Sequence, residues 1–162
     1  NVKGYGAAAY YAVVVVVLKF NCFLIVAKVS RNGDNVSLND LAGLHKRAPI
    51  LAAALMMALF GLAGIPPTIG FTGKLLLFTA AVDRGFLFLV LIAMVNVVIS
   101  LYYYLQVLKA AYLTEPEEEF APMQVSAGIN GLALLLIVIM VGGGLFPNQL
   151  IVLAEAVSLL FA

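Results

Sequence analysis

The chain has 162 residues, 64% of them hydrophobic and 10% charged, with a formal net charge of +1 and a mean hydropathy of +1.11. Soluble domains average about 45–50% apolar and about 25% charged residues, so a soluble globular fold is excluded and an integral membrane protein is indicated. Near-zero charge without a basic patch gives no support to nucleic-acid binding, and the single cysteine, Cys22, permits no internal disulfide and is too isolated for a metal or cluster site.

Four long apolar stretches approach or exceed the roughly 20 residues of a spanning helix. None alternates as a barrel strand would. The expected fold is all-α, a polytopic membrane protein with about four transmembrane helices in a single membrane domain, 1–162. Asn1 is not an initiator methionine, and the first segment is too long and too poorly flanked for a signal peptide. The chain is therefore expected to be part of a longer one.

The first span is expected from Tyr5 to Lys28. A mostly β-branched run, Val13–Leu18, precedes Lys19, Asn21 and Cys22, which lie well inside it. A lysine near a helix centre costs a few kcal/mol unless paired or hydrated. Lys19 is thus either a proton-transfer group or the partner of an ion pair or a further helix. Lys28, at the span's end, can reach the interface.

Residues 30–48 form a polar connection, with a turn at Asn32-Gly33. Ser37 or Asn39 is suited to cap a short surface helix carrying Leu38, Leu41 and Leu44 on one side. His45, beside Lys46 and Arg47, is expected to be solvated or interfacial. Pro49 suits the first turn of the next helix.

The second span covers Pro49 to Val82. As one straight helix it would be about 50 Å long at 1.5 Å per residue, against a hydrocarbon core of about 30 Å. Within it, Gly61–Phe78 reads GLAGIPPTIGFTGKLLLF, with four glycines, two threonines, one lysine and adjacent prolines. Pro costs about 3 kcal/mol and Gly about 1 kcal/mol inside a helix, and neither Pro66 nor Pro67 has an amide donor. The helix is therefore expected to be discontinuous at Gly64–Phe71 and to restart near Gly73.

Lys74 follows this break, and two readings of it are open. Either desolvation disfavours its ammonium enough for proton exchange near neutral pH, or the side chain snorkels to the headgroups. Gly64, Pro66, Pro67, Thr68 and Thr72 would then be the break and its water-binding groups. The alternative is a packing kink.

The third span, Phe86 to Leu113, carries Asn96 and Ser100 on one helix face, where they either bond a neighbouring helix or line a polar path. Tyr102, Tyr103 and Tyr104 read as an interfacial belt. Residues 114–124 form an acidic, solvated loop containing Glu115, Glu117, Glu118 and Glu119. The fourth span, Val125 to Phe146, ends in Gly142, Gly143 and Gly144. An amphipathic tail, 147–162, has Glu155 as its only charge. Basic residues concentrate beside the 30–48 and 114–124 loops, so both are expected to be cytoplasmic, with the two chain ends on the opposite side.

The run LAGIPPTIGFTGKLLLF, with LAGLHKRAP before it and SLYYYLQVLKAAY after it, resembles subunit N of respiratory complex I. That is an antiporter-like subunit of proton-pumping NADH:quinone oxidoreductase. The resemblance covers essentially the whole chain but only the C-terminal helices of that family. It implies proton translocation through a hydrated axis, with Lys74 matching the family's buried lysine on a discontinuous helix. The family pattern does not place a lysine at Lys19. The resemblance also implies a bacterial plasma membrane, other membrane subunits as partners, and no cofactor in this chain. Quinone, flavin and iron–sulfur clusters are expected in partner subunits. One component of the multisubunit sodium/proton antiporters carries a similar motif and is the alternative. A purely structural membrane module is the second.

Overall fold

The computed structural model describes residues 2–30, 35–116, 122–148, 151–152 and 156. Six α-helices and one 3-10 turn order the described chain: α1 (Val2–Val29), the turn Asn39–Leu41, α2 (Leu44–Arg47), α3 (Pro49–Ala63), α4 (Ile69–Val82), α5 (Leu87–Leu113) and α6 (Ala127–Leu145). Most of the 147–162 tail lies outside the described residues.

Spacing dictates which face each helix buries. On α1 the most enclosed residues include Val14, Leu18, Ile25 and Val29, steps of four, seven and four that keep to one side of a 3.6-residue helix. That side packs on α3 and α4. Helix α3 is central, touching α1, α2, α4, α5 and α6. Its Leu51, Ala52, Ala54 and Ala58 are fully buried. Small side chains there let neighbouring helices approach closely, since lipid provides no hydrophobic drive for association. Helix α5 lies at the edge: only Val90, Ala110 and Ala111 on it are buried, while Phe88, Val95, Val98 and Leu105 are exposed.

Helices α1, α5 and α6 are each long and apolar enough to cross a membrane. At 15 and 14 residues, α3 and α4 are each too short to cross alone, and together they make the discontinuous second span. Length and hydropathy also allow Asn39–Arg47 and α3 to count as one broken span, but they meet at 117°. Asn39, Asp40, His45, Lys46 and Arg47 make that first piece the more polar of the two.

The break is shorter than expected. Helix α4 restarts at Ile69 rather than near Gly73, so Phe71 and Thr72 are helical and the interruption is Gly64–Thr68. Thr72 is buried within the first turn of α4 and is not part of the opened backbone.

The polar connection is tied down at several points. Ser37 is not the residue flanking the 3-10 turn; its amide and hydroxyl instead donate to Asp40 Oδ2 at 2.7 and 2.8 Å. Leu41 and Leu44 are buried as a pair, whereas Leu38 is exposed. Gly43, left-handed at φ 65°, donates its amide to the Thr114 carbonyl at 3.1 Å, and Met123 donates to the Arg47 carbonyl at 3.1 Å. His45 is not freely solvated. Its ring stacks on Tyr112 at 5.6 Å, and its Nδ1 lies 3.1 Å from the Ala111 carbonyl.

Candidate functional site

The site begins with the way α3 stops. Gly64 is left-handed (φ 82°, ψ 40°), a conformation that glycine adopts without a Cβ penalty. The Ile65 amide then reaches the Phe60 carbonyl at 2.9 Å and the Gly64 amide reaches the Gly61 carbonyl at 3.0 Å, the paired bonds of a Schellman ending. Two carbonyls remain. In a continuous helix the partners of Leu62 and Ala63 would be the amides four residues on. Those positions are Pro66 and Pro67, which have none.

Lys74 takes one of the two. Its Nζ donates to the Leu62 carbonyl at 2.6 Å, a charge-assisted geometry. Helical side chains lean toward the N-terminus of their own helix, so a lysine in the second turn of α4 naturally points back at the break. The stem passes over Gly64, where an added Cβ would lie 3.0 Å from Lys74 Cδ and 3.5 Å from Nζ. Thr68, just before α4, turns its hydroxyl to the Ile65 carbonyl at 2.7 Å. The amine is partly buried. It does not snorkel away from the break.

Glycines bring neighbouring backbones against this opening. A Cβ on Gly70 would overlap the Gly61 carbonyl, and one on Gly144 of α6 would overlap the Pro67 carbonyl. A Cβ on Gly73 would come within 3.0 Å of the Tyr11 ring and 3.3 Å of the Tyr10 ring on α1.

Lys74 also lines a cleft of about 460 Å³ between α1, α4 and α5, together with Lys19, Tyr11, Asn96, Ser100 and Tyr104. Tyr11, Val15 and Lys19 descend one face of α1 at four-residue steps, and Asn96, Ser100 and Tyr104 do the same on α5. The structure thus brings Lys19 and Lys74 to one cleft, with Lys19 exposed at its edge. No acidic residue is among the lining groups. Among the described residues, Asn96 and Ser100 bond no other helix. Asn96 Nδ2 donates to the Ile92 carbonyl at 3.1 Å and Ser100 Oγ to the Asn96 carbonyl at 2.8 Å. Tyr102 and Tyr103 are exposed and meet edge to face. Tyr104 faces the cleft instead.

Asn21 was visible in the sequence only as a polar residue after Lys19. It is fully buried, and its Nδ2 donates to the Ala54 carbonyl at 2.7 Å, tying α1 to α3. Asn21 Oδ1 and Tyr10 Oη are buried without a protein hydrogen-bond partner among the described residues.

Residues 1–100 match the family described as NADH:quinone oxidoreductase/Mrp antiporter, TM. The chain belongs to this membrane family. Within the antiporter family, NADH-quinone oxidoreductase subunit N 2 of Syntrophobacter fumaroxidans is 54% identical over 158 residues, covering 98% of this chain and 34% of that protein. Subunit N 2 of Opitutus terrae is 41% identical over 144 residues, 89% of this chain and 30% of that protein. The chain therefore spans about a third of the length of the curated relatives it matches. A chain of respiratory complex I from Thermus thermophilus with bound aureothin superposes with a TM-score of 0.81 at 28% identity, over 91% of this chain and 34% of that one. A chain of the Mrp complex from Dietzia sp. DQ12-45-1b shares the fold, with a TM-score of 0.80 at 23% identity over 98% of this chain and 38% of that one.

Proposed function

We propose that this chain is a proton-translocating part of the membrane arm of an NADH:quinone oxidoreductase in a bacterial plasma membrane, with Lys74 as its principal proton-transfer group. The observation that carries the reading is the Lys74 ammonium, held at 2.6 Å on the Leu62 carbonyl beside prolines that leave that carbonyl without a helical partner. A cation so placed is stabilised by a fixed dipole yet desolvated by its surroundings. A change of charge nearby shifts the balance between its protonated and neutral forms.

Lys19 is the second group on the path. The amine of Lys74, after giving up a proton, retains two N–H groups and a lone pair. It can keep a weaker contact to Leu62 and accept the next proton from water in the cleft. Tyr11, Tyr104, Asn96 and Ser100 supply hydroxyl and amide groups along the wall for that water. Buried Tyr10 Oη and Asn21 Oδ1 are further polar atoms of the kind that ordered water usually satisfies. Gly64, Pro66, Pro67 and Thr68 hold the opening in shape. Quinone chemistry, flavin and iron–sulfur clusters belong to partner subunits, whose redox state changes the field at the lysines.

Two substitutions in the assembled, full-length complex separate proton transfer from a fixed charge. Lys74→Met removes the titrating group, and pumping per quinone reduced should fall by about a hundredfold, the scale for losing a positioned proton-transfer group. Lys74→Arg keeps the cation and the donors but cannot release a proton in a protein, so it should fall similarly. Pumping that survives in the arginine variant would reduce Lys74 to a structural cation. The sodium/proton antiporter reading predicts a purified complex without flavin or iron–sulfur clusters, in which the same variants abolish sodium-driven proton movement.

A further inference from the structure

Between α1 and α4 a phenol is enclosed with its hydroxyl unbonded. Tyr10 is 5% exposed and belongs to an apolar cluster with Val14, Leu18, Ala58 and Ile69. Its Oη is buried and has no protein partner among the described residues. A phenylalanine would fill the same space without that oxygen, and a hydroxyl taken out of water without a partner is costly. Ordered water is what usually meets such a group.

The place of this hydroxyl relative to Lys74 follows from how the helices run. Asn21 bonds Ala54, Leu18 lies against Gly61, and Tyr10 and Tyr11 lie on either side of Gly73. Partner numbers rise as α1 numbers fall, so α1 runs antiparallel to α3 and α4. Helical side chains lean toward the N-terminus of their own helix. From the level of Gly73, Lys74 therefore reaches back to the break, where its Nζ meets the Leu62 carbonyl. Tyr10 reaches the opposite way, toward Val82 and the exposed turn at 83–85. From Lys74 to Val82 the helix rises about 12 Å. Along that rise α4 carries one polar side chain, Thr79, and its hydroxyl is bonded to its own helix. Tyr11, turned about 100° from Tyr10, lines the lysine cleft instead.

We propose that Tyr10, through a water held on its hydroxyl, is the relay by which protons leave Lys74 toward the Val82 end of α4. This rests on the reading of Lys74 as a proton-transfer group. Lys74 gives its proton to water, and the hydronium passes one to a lone pair of Tyr10 Oη. The phenol's own proton leaves at the same time to the next water, and rotation about Cζ–Oη resets the group. A phenol both donates and accepts, so no ionised tyrosine is left behind.

The test uses the assembled, full-length complex. Tyr10→Phe keeps the ring and its packing, so the thermal midpoint should hold. Protons pumped per quinone reduced should fall about tenfold, less than the hundredfold or more of a lost acid–base group, because water bridges part of the gap. A packing role would not separate the two readouts. Full pumping in Tyr10→Phe beside its loss in Lys74→Met would overturn the relay alone, whereas full pumping in Lys74→Met would overturn the reading beneath it. Radiolytic footprinting of the parent complex needs no variant, since hydroxyl radicals formed on a bound water oxidise the side chain beside it. Tyr10 should be oxidised although enclosed, while Met140, more reactive and fully buried in the same cluster, should not. A Tyr10 as unmodified as Met140 would overturn the proposal.

Discussion

The α3–α4 break and helix α5 carry polar groups through the same apolar layer by opposite means. In α5 the backbone stays closed, and Asn96 and Ser100 satisfy themselves on carbonyls of their own helix. Such side chains tint a helix face without needing any neighbour. At the break the backbone itself is opened, and the freed Leu62 carbonyl is met by a cation from the next helix. Self-satisfied groups leave a helix indifferent to its partners. An opened backbone ties its geometry to everything packed on it. Substitutions that crowd the backbones at the break should therefore disturb assembly and transport together, and substitutions on α5 should touch transport alone.

The largest effect is expected where backbones meet. Gly70→Ala and Gly144→Ala each place a methyl onto a carbonyl, that of Gly61 or Pro67, and backbone has no rotamer with which to retreat. The cost should reach the upper part of the 1–3 kcal/mol range, about 3 kcal/mol, for overpacking, with a clear loss of assembled complex on native gels. Gly131→Ala in α6 is the contrast, because a Cβ there meets nothing within 4 Å. It should be neutral or stabilise by up to about 1 kcal/mol through helix propensity. Normal assembly of both close-contact variants would mean that the approach of α3, α4 and α6 is looser than described.

Next is the origin of the free carbonyl. Replacing Pro66 and Pro67 by alanine restores the amides that the Leu62 and Ala63 carbonyls lack. Gly64 still ends α3 in its left-handed turn, so the complex should assemble. The new amides compete with Lys74 for carbonyl contact, and pumping should fall, though less than in Lys74→Met. Unchanged pumping in that double variant would make the prolines incidental to the lysine's role.

Much of this region was legible in the sequence because Pro, Gly and a membrane-embedded charge are each costly there. Costly residues advertise themselves. The break, its glycines and prolines, and the place of Lys74 just beyond it followed from that, together with the spans, while a role for Lys74 came from the family resemblance. What the sequence hid was cheap. Thr72 falls inside α4 because a threonine is equally at home in a loop and in a helix's first turn. The helix restarts at Ile69 because nothing after Pro67 forbids it, Gly70 and Gly73 being tolerated where neighbours crowd in. Tyr104 looked like its belt neighbours Tyr102 and Tyr103. Only its position four residues after Ser100, itself four after Asn96, marked it as part of the cleft. Asn21 gave no periodic signal, since its partner is a carbonyl 33 residues away.

Asn21 also tests the middle of the scale. Asn21→Ala removes the Nδ2 bond to the Ala54 carbonyl but also an oxygen that has no protein partner among the described residues. Interhelical hydrogen bonds in membranes average about 0.6 kcal/mol. A small drop in the thermal midpoint of the purified complex is expected, with assembly intact. A collapse of the α1–α3 contact would show that this single bond, rather than the apolar face of Val14, Leu18 and Ile25, holds α1 in place.

The smallest effect on stability, and the sharpest contrast with the break, is expected from Ser100→Ala. Among the described residues its hydroxyl bonds only to the Asn96 carbonyl of the same helix, so its removal should leave assembly and thermal midpoint unchanged within error. Thr79→Ala is the matched control: that hydroxyl also bonds its own helix, to the Leu75 and Leu76 carbonyls at 2.9 and 3.0 Å, but it does not line the cleft. If water along the α5 face carries protons to Lys74, pumping should fall in Ser100→Ala and hold in Thr79→Ala, although the two lose the same kind of bond. Equal pumping in both would mean that the polar face of α5 takes no part in transport, leaving the opened backbone and its lysine to act without it.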